Sequence, residues 1–403
     1  MATETVGCLA PGPAYPLAIS TWGDEERSAA IAVIESGRTT MGEKVEAFEE
    51  SFARTVGGRY AVMSNSGSSA NLLAVAAQFF TNPPRLRAAM VAVVPAISWA
   101  TTYYPLSQYG LRLRFVDIDK ETLNFDLAAL KDAVDDDVAA IFAVNLLGNP
   151  NDYRRIEQII GSRPIVLLED NCEALGARFA GRCAGTFGRI GTFSTFFSHH
   201  ISTMEGGVCV TEDEELFHIM RSLRTHGWTR SLPWPNSLVD AGKEGPFQEK
   251  FRFILPGYNL RPLEIAGAVG IEQLKKLPDL IAARRANADR FAAYFGQVPG
   301  LRIQRELGES SWFGFSIVLD ESCRASRAEV IDALEAAGIE TRPVVAGNFV
   351  RNPVIAHLDH DPPPSLRNAD EIHERGFYLG NHHFDLDAHL ARAREVIGAI
   401  IGA

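Results

Sequence analysis

Two carboxylates close an apolar run at Leu167-Leu168-Glu169-Asp170-Asn171-Cys172-Glu173-Ala174. A charge at the end of a buried strand needs a compensating partner. A cationic heterocyclic nitrogen would serve, and the carboxylate would in return keep that nitrogen protonated. An ion pair with an arginine is the structural alternative. Farther on, the run from Gly191 to Gly207 sets His199 and His200 among Ser194, Thr195, Ser198, Ser202 and Thr203. Paired histidines can ligate a metal, yet no carboxylate or third histidine stands at a helpful local spacing. A single histidine working as both acid and base suits the segment better.

Two further segments have the same character. Ser64-Asn65-Ser66-Gly67-Ser68-Ser69-Ala70 joins an expected strand to an expected helix. Small residues there let backbone N–H groups approach a phosphate, and the helix offers its positive end. A serine-rich cap fits the same residues. Pro95-Ala96-Ile97-Ser98-Trp99-Ala100-Thr101-Thr102 also follows a strand. Trp99 is placed either to stack on a planar ring or to fill the core.

The elements that must position these residues are legible as pattern. Apolar runs at 60–63, 90–94, 113–116, 139–144, 165–168, 191–196 and 208–211 predict seven strands. Helical stretches such as 70–80 and 152–160 lie between them, which predicts an α/β unit with a mostly parallel sheet. In such sheets ligands bind beyond the carboxyl ends of the strands, where all four segments fall. Upstream, Asp24 is expected to cap a helix stopped by Gly37, and Val45, Phe48 and Phe52 have the spacing of a buried helix face. Downstream, 262–295 predicts a long helix interrupted at Pro278, then strands at 312–319 and 339–345 flanking a helix at 326–337. An amphipathic helix closes the chain at 387–401. The expected division is a lead-in over 1–23, a large unit over 24–261, and a linker helix with a small α/β unit over 262–403.

Composition narrows the function. A net charge of −11 over 403 residues disfavours nucleic acid or an acidic membrane surface as partner. No apolar run is long enough to span a bilayer, and the start, with acidic Glu4, does not read as a signal peptide, so the cytoplasm is the expected location. Cys8, Cys172, Cys183, Cys209 and Cys323 are scattered and read as free thiols.

Taken together and in order, the four segments resemble the fold-type I sugar aminotransferases of the DegT/DnrJ/EryC/StrS family, which bind pyridoxal phosphate and act on nucleotide sugars. There the fourth segment runs Ser-Phe, three residues, Lys, five residues, Glu-Gly-Gly. Here Ser194 and Glu205-Gly206-Gly207 match, Thr195 replaces the phenylalanine, and His199 stands at the lysine. Without that amine the cofactor would be held non-covalently. A histidine at this spot characterises the family's nucleotide-sugar 3-dehydratases. The resemblance extends from about Pro16 to the C-terminus, through 145–150, 225–230 and 308–315.

The resemblance implies an aspartate aminotransferase-like fold with a large domain built on a mostly parallel seven-stranded sheet. It implies roles as well. Gly67, Ser68 and Ser194 would hold the phosphate, Trp99 would stack on the pyridine, and Asp170 would pair with its nitrogen. Glu173, where the aminotransferases usually have glutamine, would lie near the ring hydroxyl. Asn259 would reach the phosphate of a neighbouring subunit, making a homodimer with shared active sites the expected unit. His226, Arg230 and Arg342 are candidates for the sugar-nucleotide pocket, with ion pairing or packing as their alternative roles. The implied reaction removes the C3 hydroxyl of a nucleotide-linked 4-keto-6-deoxyhexose, with GDP-4-keto-6-deoxy-D-mannose expected and CDP or dTDP sugars open. His199 would take a proton from the pyridoxamine phosphate adduct and donate one to the departing hydroxyl. L-glutamate would regenerate pyridoxamine phosphate, because the cysteines lack the local clustering of an iron–sulfur ligand set. A true aminotransferase with another base, or a silent nucleotide-sugar binder, are the competing readings.

Overall fold

The computed structural model describes residues 13–233, 235–239, 247 and 251–402. Cys8 and the first part of the lead-in, residues 1–12, lie outside these. Two helices, α1 (Asp24–Ser36) and α2 (Glu43–Val56), precede the sheet. Asp24 is the first residue of α1 rather than its cap. Gly23 takes that place, and its N–H donates to Glu26 Oε2 at 2.7 Å, so a first-turn acid reaches back to the backbone of the cap residue. Gly37 ends α1 in the left-handed conformation, as expected. In α2 the side chains of Val45, Phe48 and Phe52 are fully buried, each contributing about 2 kcal/mol of burial.

The seven strands expected between Tyr60 and Thr211 are all present, their ends moved by one or two residues. They are β1 (Tyr60–Ser64), β2 (Val91–Pro95), β3 (Arg112–Val116), β4 (Val138–Val144) and β5 (Val166–Asp170). After a two-strand ribbon, β6 (Arg178–Phe179) and β7 (Arg182–Cys183), come β8 (Ile190–Ser194) and β9 (Gly207–Thr211). The sheet order is β1-β9-β8-β5-β4-β2-β3, parallel from β8 to β3. Only β9 runs against its neighbours β8 and β1, so β1 points the same way as the parallel strands. Ser64, Pro95, Val144, Asp170 and Ser194 therefore all end at one edge. Helices α3 (Gly67–Ala77), α4 (Ala100–Gln108), α5 (Leu127–Ala133), α6 (Tyr153–Ile160) and α7 (Glu214–Arg224) cover this sheet, whose central strands are buried on both faces, as parallel sheets require.

The long helix α8 (Glu264–Phe295) runs unbroken through Pro278. The lost hydrogen bond is outweighed by packing on both sides of it, where Leu274, Leu277, Leu280 and Ile281 are buried. At its start the Glu264 carboxylate accepts the N–H groups of Gly42 and Lys44, each at 2.6 Å, joining α8 to the first turn of α2.

Beyond α8 come β10 (Leu301–Ile303), β11 (Gly314–Leu319), α9 (Arg327–Ala336), α10 (Arg367–Arg375), β12 (Gly376–Gly380) and α11 (Asp387–Ile401). The expected strand at 339–345 is absent. That stretch makes single bridges to Tyr15 and Tyr378, and Val345 at φ 49° turns the chain away. The place beside β11 is taken by β12, which sequence pattern missed. No helix of the described residues is long and apolar enough to cross a membrane.

Candidate active site

A cavity of about 350 Å³ opens at the carboxyl edge of the large sheet and is closed on its far side by Phe313, Arg342, Pro343, Val345 and Tyr378. Its floor is the end of β5. Side chains alternate along a strand, so the two acids there part company. Glu169 turns into the fold and accepts the N–H groups of Gly185 at 2.7 Å and Gly188 at 2.5 Å. Asp170 faces the cavity. Its Oδ2 accepts from Asn71 Nδ2 at 2.8 Å and Thr102 Oγ1 at 2.7 Å, and its Oδ1 from the Cys172 N–H at 3.1 Å. Each donor is neutral, and no lysine or arginine of the described residues pairs with it. The arginine ion pair weighed for this acid is not formed.

One turn on, Glu173 accepts the Leu147 N–H at 2.9 Å through Oε2. Burial and then the Asp170 charge push its carboxyl up to about 7, with the Leu147 bond pulling the other way. At one end of the cavity, α3 begins with Ser66 as cap, its Oγ accepting the Ser69 N–H at 3.1 Å. Ser68 Oγ donates to Thr101 Oγ1 at 2.9 Å. Gly67 is packed so tightly that a Cβ there would lie 2.6 Å from Ser194 Cβ and 3.1 Å from Cys172 Sγ. A Cβ on Gly207 would collide with the Ser66 carbonyl. The glycines thus let a bare backbone cradle face a helix N-terminus, a site suited to an anion. Trp99 is 61% exposed at the rim, which sets aside a core role and leaves an indole face free for a ring.

His199 lies in the loop after β8, half-buried, with its ring 5.9 Å from Phe196 and 5.2 Å from Phe313. Burial, then the Arg284 charge, push its imidazole down to about 3. It is a neutral base in this setting. His200 is different: it is buried in the core, Nε2 donating to the Ser311 carbonyl at 3.1 Å.

The structure therefore gathers Gly67, Ser68, Trp99, Asp170, Glu173, Ser194, His199 and Arg342 around one cavity. Asn259, His226 and Arg230 are not among its lining residues. Asn259 is exposed and accepts from Arg261 Nε at 3.0 Å. His226, at φ 61°, donates its N–H to the Tyr258 carbonyl at 2.6 Å, and Arg230 is exposed in the next turn. Sequence reasoning missed Asn71, Arg284, Phe313 and Tyr378. Asn71 looks like any polar residue one turn into a helix, and Arg284 like any charge on a long one. No local pattern marks either.

An anion-accepting helix end, a flat aromatic face and a carboxylate with only neutral donors fit a phosphorylated aromatic heterocycle of the pyridoxal phosphate type. No lysine of the described residues lines the cavity.

Residues 21–400 match the model of the DegT/DnrJ/EryC1/StrS aminotransferase family. The chain is 53% identical over 384 residues to a GDP-4-keto-6-deoxy-D-mannose 3-dehydratase of Escherichia coli O55:H7, covering 95% of this chain and 99% of that protein. It is 52% identical over 373 residues to the enzyme of that name from Yersinia pseudotuberculosis, covering 92% and 95%. A crystal structure of GDP-4-keto-6-deoxymannose-3-dehydratase with a trapped PLP-glutamate geminal diamine superposes with a TM-score of 0.94 at 52% identity, over 95% of this chain and 100% of that one.

Proposed function

The chain belongs to the DegT/DnrJ/EryC1/StrS aminotransferase family, and we propose that within it the chain is a dehydratase, not an aminotransferase. It removes the C3 hydroxyl of GDP-4-keto-6-deoxy-D-mannose, using pyridoxal and pyridoxamine 5'-phosphate with L-glutamate as amino donor. The observation that carries this reading is His199 facing a cavity that no lysine of the described residues lines. When bound, the cofactor supplies an amine for the sugar ketone and a ring that takes up electrons.

The protein's part is to bind, orient and move protons. Gly67, Ser68 and the start of α3 hold the phosphate together with Ser194, and the Trp99 face supports the ring. Asp170 keeps the ring nitrogen protonated, since a buried carboxylate with only neutral donors favours a cation opposite it. Glu173 sits on the same face and can give a hydrogen bond to the ring hydroxyl while it holds its proton. His199, neutral at the outset, takes a proton from carbon. Now charged beside a buried arginine, it gives a proton up readily to the departing C3 oxygen. Arg342 reaches in from the small unit toward the sugar nucleotide.

We take residues 24–261 as the cofactor-binding unit and 262–403 as linker helix and small unit, with the cavity between them, working in the cytoplasm. The functional unit is a homodimer, in which Asn259 reaches the partner's phosphate site and His226 and Arg230 line the partner's sugar pocket. Support for this comes from Phe251 and Phe253, more than half exposed and gathered on Trp228 a few residues before Asn259. A cluster of that kind marks an interface.

The test is product analysis with GDP-4-keto-6-deoxy-D-mannose, pyridoxal phosphate and L-glutamate. Loss of the C3 hydroxyl with formation of 2-oxoglutarate, abolished in His199→Asn, is expected. An amino sugar from the wild-type enzyme would overturn the reading.

A further inference from the structure

Three consecutive carbonyls leading into β11 are held by buried donors. The Ser311 carbonyl accepts from His200 Nε2 at 3.1 Å, the Trp312 carbonyl from Asn381 Nδ2 at 2.8 Å, and the Phe313 carbonyl from Arg284 Nη1 at 3.1 Å. Asn381 Nδ2 also donates to the carbonyl of Arg284 at 3.1 Å, which clips α8 to the same turn. The turn is sharp, with Trp312 at φ 49°. It presents the Phe313 ring to His199 at 5.2 Å and to His200 at 5.8 Å.

Arg284 is out of place in such surroundings. Its side chain is buried, its Nε has no partner, and no carboxylate of the described residues pairs with it. A buried cation without a counterion is costly, and a fold keeps one where the charge is used. Burial pushes the guanidinium down only to about 10, so it stays charged at neutral pH. Around it stand His199, His200, His382 and His383, all held below the usual imidazole range, by burial first and with the Arg284 charge adding. The other charged groups near His199 face it from the cavity side: Glu205 on its own loop, Asp170 from the end of β5, Glu173 from the turn after it, and Arg342 from the small unit.

We infer that Arg284 is a positioning residue for His199. Its bond to the Phe313 carbonyl sets the ring against which the imidazole rests, and its uncompensated charge behind the cavity wall adds to burial in keeping that imidazole neutral at the start of the cycle. The inference depends on the reading of His199 as acid and base, but its effect on the imidazole's charge is measurable without turnover.

Holoenzyme labelled at histidine is titrated by NMR from about pH 5 to about pH 8, the His199 signal being assigned by its absence in His199→Asn. The wild-type imidazole is expected to stay neutral throughout. In Arg284→Gln, which keeps a donor for Phe313 but removes the charge, its titration moves up by about one pH unit, so that charging begins at the acid end of that range where the wild type shows none. The acid limb of kcat/KM moves with it, while Arg284→Lys keeps the wild-type limb. A His199 that titrates alike in wild type and Arg284→Gln overturns the inference, and so does a fall in kcat with both curves unmoved, because that is the mark of a structural brace. Should Arg284→Gln fail to fold, charging of the wild-type imidazole near its ordinary value would overturn the inference on its own. If the dehydratase reading fails instead, no 3-deoxy product forms and the titrations still decide the role of Arg284.

Discussion

Glu173 holds a proton near neutral pH because burial and the Asp170 charge both penalise its anion. Its carboxyl is raised in the fold from 4.5 to about 7. The folded state therefore binds more protons than the unfolded chain between those values, and stability falls as pH rises through them. Glu173→Gln removes the titration. The unliganded variant should match wild type in Tm at the acid end of that window and exceed it by several degrees above the upper end; equal Tm values across the range would mean the carboxyl is not raised. Asp170 predicts a loss of chemistry rather than of fold. Asp170→Asn keeps an acceptor for Thr102 but no charge to hold a ring nitrogen protonated. Turnover should drop by about a hundredfold or more, with cofactor still bound, as read by single-turnover kinetics and cofactor absorbance.

The elements owe their precision to close approach. The cradle at α3 works because Gly67 lets Ser194 and Cys172 come in where a Cβ would intrude. Gly67→Ala should leave the fold intact and weaken pyridoxal phosphate binding by about tenfold, measured by absorbance titration; unchanged affinity would show that the loop moves aside freely. In α8, Pro278 leaves the Leu274 carbonyl without its helical donor, though the helix continues. Pro278→Ala restores that bond at the expense of a stiffer unfolded chain, with an expected net gain of about 1 kcal/mol in urea unfolding. The packing of Leu274, Leu277, Leu280 and Ile281 explains why a helix that sequence pattern breaks at Pro278 continues through it.

At the scale of the whole molecule, the exposed rings of Phe251 and Phe253, 6.3 and 5.7 Å from Trp228, ask for a covering partner. Phe253→Glu should shift the protein from dimer to monomer in sedimentation at micromolar concentration and weaken cofactor binding, because Asn259 stands on the same surface. A monomeric wild type would end that proposal. What sequence alone determined was local and periodic. The seven strands, the glycine-serine cradle, the acids at the end of β5 and the histidine at the lysine position all depend on residue type within short windows, where side-chain alternation and helix-end chemistry operate. Tertiary structure decided what depends on residues far apart. It gave the edge of the small sheet to 376–380 instead of 339–345, since pairing to β11 depends on which distant stretch can lie flat beside it. It turned Glu169 inward and Asp170 toward the cavity, brought Asn71 and Thr102 onto that carboxylate, and set Arg284 behind His199 from a helix 85 residues downstream by their numbers (284 − 199). Charges act through space, so the electrostatic character of His199 was settled only when the chain folded.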